Sequence, residues 1–308
     1  MLAQPYVQAL LLPLRAPGAE AHNAALLDGA TLGIEVTEPE LAGRCGLGNL
    51  DPQHGPAAGP TRTAIEAALT WPLPPPGARL ATIRPDADAF GAMAVLCLRA
   101  KGATLDAAAL ARVALIARCD AFALGDWRRW RASRGPLRRP AAPRDMLCTP
   151  PGYGALVALA TDPGLTPPAR VIAFEAWLLT ADIRACAREA NGVFAASLAE
   201  AWNSGEIRID HVPGDSLAVV RAATPGALML GYRFAPVVLA ISGERRPRKV
   251  TIAQFSVGHA DLGAVAAALR ALEPGWGGTT TILGSPQGIG SVLEEDEILR
   301  ILRGHLRA

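Results

Sequence analysis

The spacing of apolar residues changes character along this chain, and the changes mark its elements. Residues 80–83 form a short apolar run that breaks at Arg84-Pro85 and resumes as an Ala-rich stretch from Ala89. That order predicts a strand, a tight turn and a helix. Upstream, 31–37 reads as a strand carrying Ile34 and Val36, 20–31 as a helix, and 6–14 fits a strand or a short helix equally. A short helix at 62–69 leads into Pro72, Pro74, Pro75 and Pro76, a stiff connector. Helical spacing returns at 104–118, with Asp106 in the first turn. It returns again at 168–201, where Phe174, Trp177, Leu178, Ala181 and Ala185 mark a buried face and Asn191-Gly192 a break into two helices. The last third changes character, to short apolar runs separated by turns. Strands are expected at 207–209, 217–222, 237–241 and 250–253, a helix at 261–272, a Gly-rich loop at 274–291 and a helix from about Val292. The implied fold is α/β and two-domain: a parallel-sheet N-terminal domain, a smaller mixed α+β C-terminal domain, and a cleft between them. The first would span 1–204 with a helical connector, the second 205–308.

Composition narrows this picture. The 308 residues suffice for two domains, and half are hydrophobic, which excludes a disordered chain. Lysine occurs only at 101 and 249, so arginine abundance reflects a general bias. A net charge of +2 argues for neither a basic nucleic-acid coat nor an acidic protein. Five cysteines at 45, 97, 119, 148 and 186 form no CxxC pair, as expected of reduced thiols in a cytoplasmic protein. No apolar run approaches the roughly 20 residues of a membrane span. The N-terminal apolar run lacks a preceding basic segment and is interrupted by Pro5 and Pro13, against a signal peptide.

Candidate chemistry collects at turns. Asp86 and Asp88 lie just past the strand at 80–83, where open α/β sheets bind ligands. Two acids so close repel unless a cation lies between them, or unless Asp88 simply caps the following helix. Asp51 and His54 flank the turn forced by Pro52 and could face one cation, or be solvated. Asp120 ends the helix at 104–118, with Asp126 as its competitor. At 128–151, arginines interleave with Trp127 and Trp130 in a basic, Pro-rich segment that reads as a solvated loop or as a phosphate-contacting, base-stacking lid. Glycines at 275, 277, 278, 284, 288 and 290 could aim free amides at an anion, assisted by Thr279, Thr280 and Ser285. His22, His211 and His259 read as surface or packing residues. His259, beside Gly258, is the best outside candidate for a site.

Pro85-Asp86-Ala87-Asp88 with Gly91 and an Ala-rich helix resembles the first motif of the DHH phosphoesterases, which reads His-x-x-Pro-Asp-x-Asp. Thr82 stands at the position of the family's His. Asp51-Pro52-Gln53-His54 looks like a shortened Asp-His-His motif, placed ahead of the first motif rather than after it. The 274–291 loop resembles the Gly-rich signature of the small domain attached to that family, without its His. The resemblance implies a metal-dependent hydrolase of a phosphodiester or phosphate ester, acting on a short oligonucleotide or nucleotide. It implies Mn²⁺ or Mg²⁺ held by Asp51, His54, Asp86, Asp88 and Asp120, with Asp88 and His54 catalytic. Gly277, Gly278, Thr279, Gly284 and Ser285 would hold substrate. The alternative is a non-catalytic nucleotide- or phosphate-binding relative with a degenerate metal site. No membrane partner is expected, and a homodimer is left open.

Overall fold

The structure is a computed structural model. It describes residues 4–52, 63–121, 124–134, 137–146, 153–182, 185–286 and 289–307, leaving the side chains of 185–193 outside that description. The chain divides into two compact units: Met1–Asp120 with Pro151–Asn191, and Ala121–Pro150 with Gly192–Ala308. The sequence pattern predicts a single changeover at 204/205, whereas these units exchange the chain after 120, 150 and 191. The cause is visible in the helix Trp127–Arg134, where the pattern suggests a loop. The indole of Trp127 donates to the Tyr232 carbonyl (2.7 Å), and the Trp130 ring packs 4.9 Å from that of Phe255. The segment therefore packs against the second unit's core through Trp127 and Trp130.

In the first unit, β1 (Val7–Leu10), β2 (Thr31–Ile34), β3 (Asn49–Leu50) and β4 (Arg79–Thr82) form a sheet in the order β1-β4-β2-β3. Every pairing is parallel. The strand predicted at 80–83 is thus a central one, and the ambiguous 6–14 segment is its neighbour. The helix Ala87–Ala100 is buried at every position from Ala87 to Leu98, which explains why its sequence is apolar all round rather than striped. Gly91 permits close approach there: a Cβ would lie 2.7 Å from Ile65 Cδ1. Helices Ala64–Ala68, Ala107–Asp120, Tyr153–Thr161 and Pro167–Thr180 pack around it on a core that includes Phe90, Met93 and Phe174. The predicted break at Asn191-Gly192 lies instead at Ala181. That residue closes Pro167–Thr180 with a left-handed φ of 59°, and the helix Ala185–Ser204 runs on through 191 and 192.

The second unit holds a six-stranded sheet of β5 (Arg208–His211), β6 (Leu217–Arg221), β7 (Val237–Ser242), β8 (Lys249–Gln254), β9 (Gly277–Gly278) and β10 (Ile282–Gly284). Its order is β5-β6-β7-β8-β10-β9. Only β6 and β7 pair in parallel. Alternate residues serve opposite faces. Leu239 and Ile252 join Leu262, Val265 and Leu302 of helices Leu262–Leu272 and Glu295–Arg303. Val238 and Ala253 join Trp202, Leu230 and Tyr232 on the other side. Among the described residues no helix is long and apolar enough to cross a membrane.

Candidate functional site

Parallel pairing brings the C-terminal ends of β2, β4 and β3 to one edge of the first sheet, so the residues that follow each strand become neighbours. After β4 the chain turns at Thr82, whose buried hydroxyl donates to the Arg84 carbonyl (3.2 Å) and accepts from the Arg84 amide (3.1 Å). Asp86, not Asp88, caps the helix: its carboxylate accepts from the Ala89 amide at 2.9 Å. Asp88 is fully buried and reaches across to another helix, accepting from the amides of Ala64 (2.6 Å) and Ile65 (3.1 Å). These are the first donors of Ala64–Ala68, which have no partner within their own helix. Both acids of the motif thus have structural work, and the cap that the sequence offers to Asp88 is made by Asp86.

After β2 comes Glu35, which sequence reasoning missed. It is 1 % exposed, and among the described residues its Oε2 has no hydrogen-bond partner. Its backbone is left-handed, φ 51°, a strained conformation for a non-glycine residue. Neighbouring bonds hold it there. The Glu35 amide donates to the Leu50 carbonyl (3.0 Å), and the Asn49 side chain bridges the Val36 amide (3.2 Å) and carbonyl (3.0 Å). The only signal in the sequence is an acid between Ile34 and Val36, inside the 31–37 stretch expected to be a strand, which in the structure ends at Ile34.

The electrostatics describe a crowded acidic pocket within the first unit. Burial, then the charges of Asp86, Asp88 and Asp120, push the Glu35 carboxyl well above its usual range, with Arg84 opposing. Burial, then Asp120 and Asp86, raise Asp88 in the same way, opposed by the Ile65 and Ala64 amides. The phenol of Tyr153 is raised by burial and by Asp120, Cys119, Asp86 and Asp88, so it stays a hydrogen-bond donor. Burial works against the charge of Arg84, but Glu35, Asp86, Asp120 and Asp51 outweigh it. Its Nε lies 3.8 Å from Asp86 Oδ2. Asp51, Asp86, Asp88 and Asp120 are therefore brought into one neighbourhood with Glu35 and Arg84. His54 lies outside the described residues. Asp126 caps Trp127–Arg134 in the second unit, accepting from the Arg129 amide at 3.1 Å.

The donor chemistry suits a hard divalent cation: every group is an oxygen, and one is a buried carboxylate oxygen without a partner among the described residues. Among the described residues, however, no three His, Cys, Asp or Glu side chains converge closely enough to hold a metal ion as they stand.

The Gly-rich segment is a hairpin at the sheet edge rather than a loop of free amides. Gly277 and Gly278 pair with Gly284 and Leu283. The Thr279 amide donates to the Ile282 carbonyl (2.8 Å), and the Ser285 amide to the Val250 carbonyl (2.9 Å), while Ser285 Oγ accepts from the Val250 amide (3.1 Å). A Cβ on Gly278 would run into the Ile282 carbonyl. These amides are spent on the sheet, and Gly278 has a packing reason independent of any anion.

A second feature, not anticipated as a site, lies wholly within the second unit. A cavity of about 760 Å³, within the size range of small-molecule sites, is lined by Arg128, Arg131 and Arg307, by His211 and His259, and by apolar surface of Trp127 and Phe234. Its Ser256–His259 wall is fixed by Gln254. That buried side chain accepts from the His259 and Ala260 amides (both 2.9 Å) and donates to the Thr280 carbonyl (2.5 Å). Arg307 is placed by its amide on the His259 carbonyl (2.8 Å) and its guanidinium on Asp261 (3.1 Å). His259 is held below its ordinary pKa by burial and by Arg128, against Asp126, so it is neutral near pH 7.

No family model matches the chain, and no curated protein matches it. Among solved structures it is similar to PggH, a pGpG-specific phosphodiesterase from Vibrio cholerae, at 12% identity, over 70% of this chain and 74% of that one, with a TM-score of 0.37. A likeness at that level carries no argument about activity.

Proposed function

We propose that this protein is a metal-dependent phosphoesterase acting on a short oligonucleotide or nucleotide. The observation that carries the reading is Glu35: a buried carboxyl with an oxygen unpartnered among the described residues, held in a strained backbone among Asp86, Asp88 and Asp120. Burying like charges together is costly unless a cation or protons neutralise them. Glu35, Asp86, Asp88, Asp120 and Asp51 would hold Mn²⁺ or Mg²⁺, with His54 as a further ligand. When bound, the cation would neutralise phosphoryl oxygens and acidify a water. The chain's own residues supply the rest. Arg84 offers a guanidinium to phosphate oxygens, and Tyr153 a phenol that remains protonated. In the second unit, Arg128 and Arg131 attract an anion, and a neutral His259 can donate a hydrogen bond to it.

One observation favours the alternative, a non-catalytic nucleotide- or phosphate-binding relative. Thr82 closes a local turn where the resembled motif has a metal-binding His, and Arg84 already brings positive charge to the acids. The two readings part in one experiment. Protein stripped with a chelator and reloaded with Mn²⁺ or Mg²⁺ should hydrolyse bis(p-nitrophenyl) phosphate and a 5′-phosphorylated dinucleotide, and Glu35→Gln and Asp88→Asn should abolish this. Nucleotide binding without hydrolysis under any cation selects the alternative.

A further inference from the structure

The helix Trp127–Arg134 contains four arginines and no acid. Interleaved tryptophans and arginines suggest base stacking, but both indoles are committed elsewhere, to the Tyr232 carbonyl and the Phe255 ring. What the tryptophans do is organise the arginines. The Arg131 guanidinium lies 5.5 Å from the Trp127 ring centroid, and that of Arg134 lies 5.7 Å from Trp130, each one turn further along. Arg131 Nε also donates to the Arg233 carbonyl at 3.1 Å. Stacked guanidinium groups have less freedom to lose on meeting an anion.

Residues three apart share a helix face, so Arg128, Arg131 and Arg134 form one stripe. At about 1.5 Å of rise per residue it runs roughly 9 Å. Arg128 and Arg131 line the cavity, whereas Arg134 does not. Positive charge therefore continues past the cavity by one helical turn, further than a single phosphate group reaches. Two acids also line the cavity, Asp126, which accepts from the Arg129 amide at 3.1 Å, and Asp215; they are outnumbered by the guanidinium groups of Arg128, Arg131 and Arg307.

We propose that the Arg128–Arg131–Arg134 stripe tracks the backbone of a single-stranded oligonucleotide leaving the cavity, so that ligands with two or more phosphates along a strand bind better than mononucleotides. This rests on the reading that the cavity takes a phosphate ester. It makes the ligand an oligonucleotide rather than a nucleotide, and recognition is through charge along the strand rather than through stacking on Trp127 or Trp130.

The test measures equilibrium binding in chelator, where hydrolysis plays no part, of AMP, ATP, pApA and tetra-adenylate. Affinity should rise severalfold from AMP to pApA and again to tetra-adenylate, with ATP below pApA. Against tetra-adenylate, Arg134→Gln should weaken binding and flatten the dependence of log K on log salt by about 0.7, the contribution of one phosphate contact on a single strand. AMP affinity should not change, and Arg134→Lys should restore the salt slope. The length series on the wild type stands even where a variant folds poorly. Equal affinity for AMP and tetra-adenylate overturns the inference while leaving the cavity reading intact. A gain with ATP as large as with pApA overturns it in favour of a nucleoside polyphosphate. No binding of any of the four removes the cavity reading, and this inference with it.

Discussion

Asp88→Asn separates the structural from the chemical role of the first motif. Asp88 is fully buried and accepts from two amides, Ala64 at 2.6 Å and Ile65 at 3.1 Å. An asparagine keeps one acceptor oxygen and turns an NH₂ toward the other amide. One buried N–H loses its partner, at a cost of about 1–3 kcal/mol. The unit that contains it, Met1–Asp120 with Pro151–Asn191, has about 160 residues. For a domain of that size each kcal/mol lowers Tm by about 2–4 °C. The expected fall is therefore several degrees. Glu35→Gln is the internal control, because it removes the same charge from the same pocket, and Glu35 Oε2 makes no hydrogen bond among the described residues. Differential scanning calorimetry in chelator, with both variants at one pH, isolates the amide bonds from the change in charge. Should Asp88→Asn melt at or above Glu35→Gln, the bonds to Ala64 and Ile65 contribute nothing measurable and the argument fails.

Gly278→Ala should destabilise the second unit by about 2–4 kcal/mol, from a strained φ of 145° plus overpacking against Ile282, while leaving AMP binding intact in the folded fraction; lost binding at unchanged stability would return the hairpin to the site. The cation-free protein should also lose stability as pH rises. Glu35 and Asp88 have folded-state pKa values above their unfolded ones, so the folded protein binds more protons. That contribution is fully present below about pH 4, and it fades as pH climbs through the raised folded values. Tm measured from pH 4 to 8 should fall less steeply in Glu35→Gln and after adding Mn²⁺; identical slopes in all three would mean the pocket is not crowded with charge. Trp127→Phe should cost about 1 kcal/mol by removing the bond to the Tyr232 carbonyl, and a urea titration that shows no shift in midpoint would remove that bond from the second unit's core.

The sequence alone determined the elements whose signal is local. A strand, a turn and a buried helix at 79–100 follow from an apolar run, Arg84-Pro85 and an uninterrupted Ala-rich stretch. The two-domain α/β character follows from the switch between helical and strand spacing. That Asp86 and Asp88 sit where a parallel sheet gathers its strand ends was likewise legible. Their individual roles were not, because Asp88's partners are 23 and 24 residues away in sequence and belong to another helix. Glu35 escaped for the same reason. Its isolation among apolar neighbours is ordinary until the order β1-β4-β2-β3 puts the end of β2 beside those of β4 and β3. Composition also misled: six glycines and several hydroxyls read as an anion loop, yet the Thr279 amide turns back to the Ile282 carbonyl and the Ser285 amide to the Val250 carbonyl of β8. Conversely, Arg128, His211, His259 and Arg307 are spread over 180 positions and form no motif, so only folding assembles their cavity. Spacing along the chain encodes contacts within one element, whereas a site built from the ends of several elements exists only once strand order and packing bring those ends together.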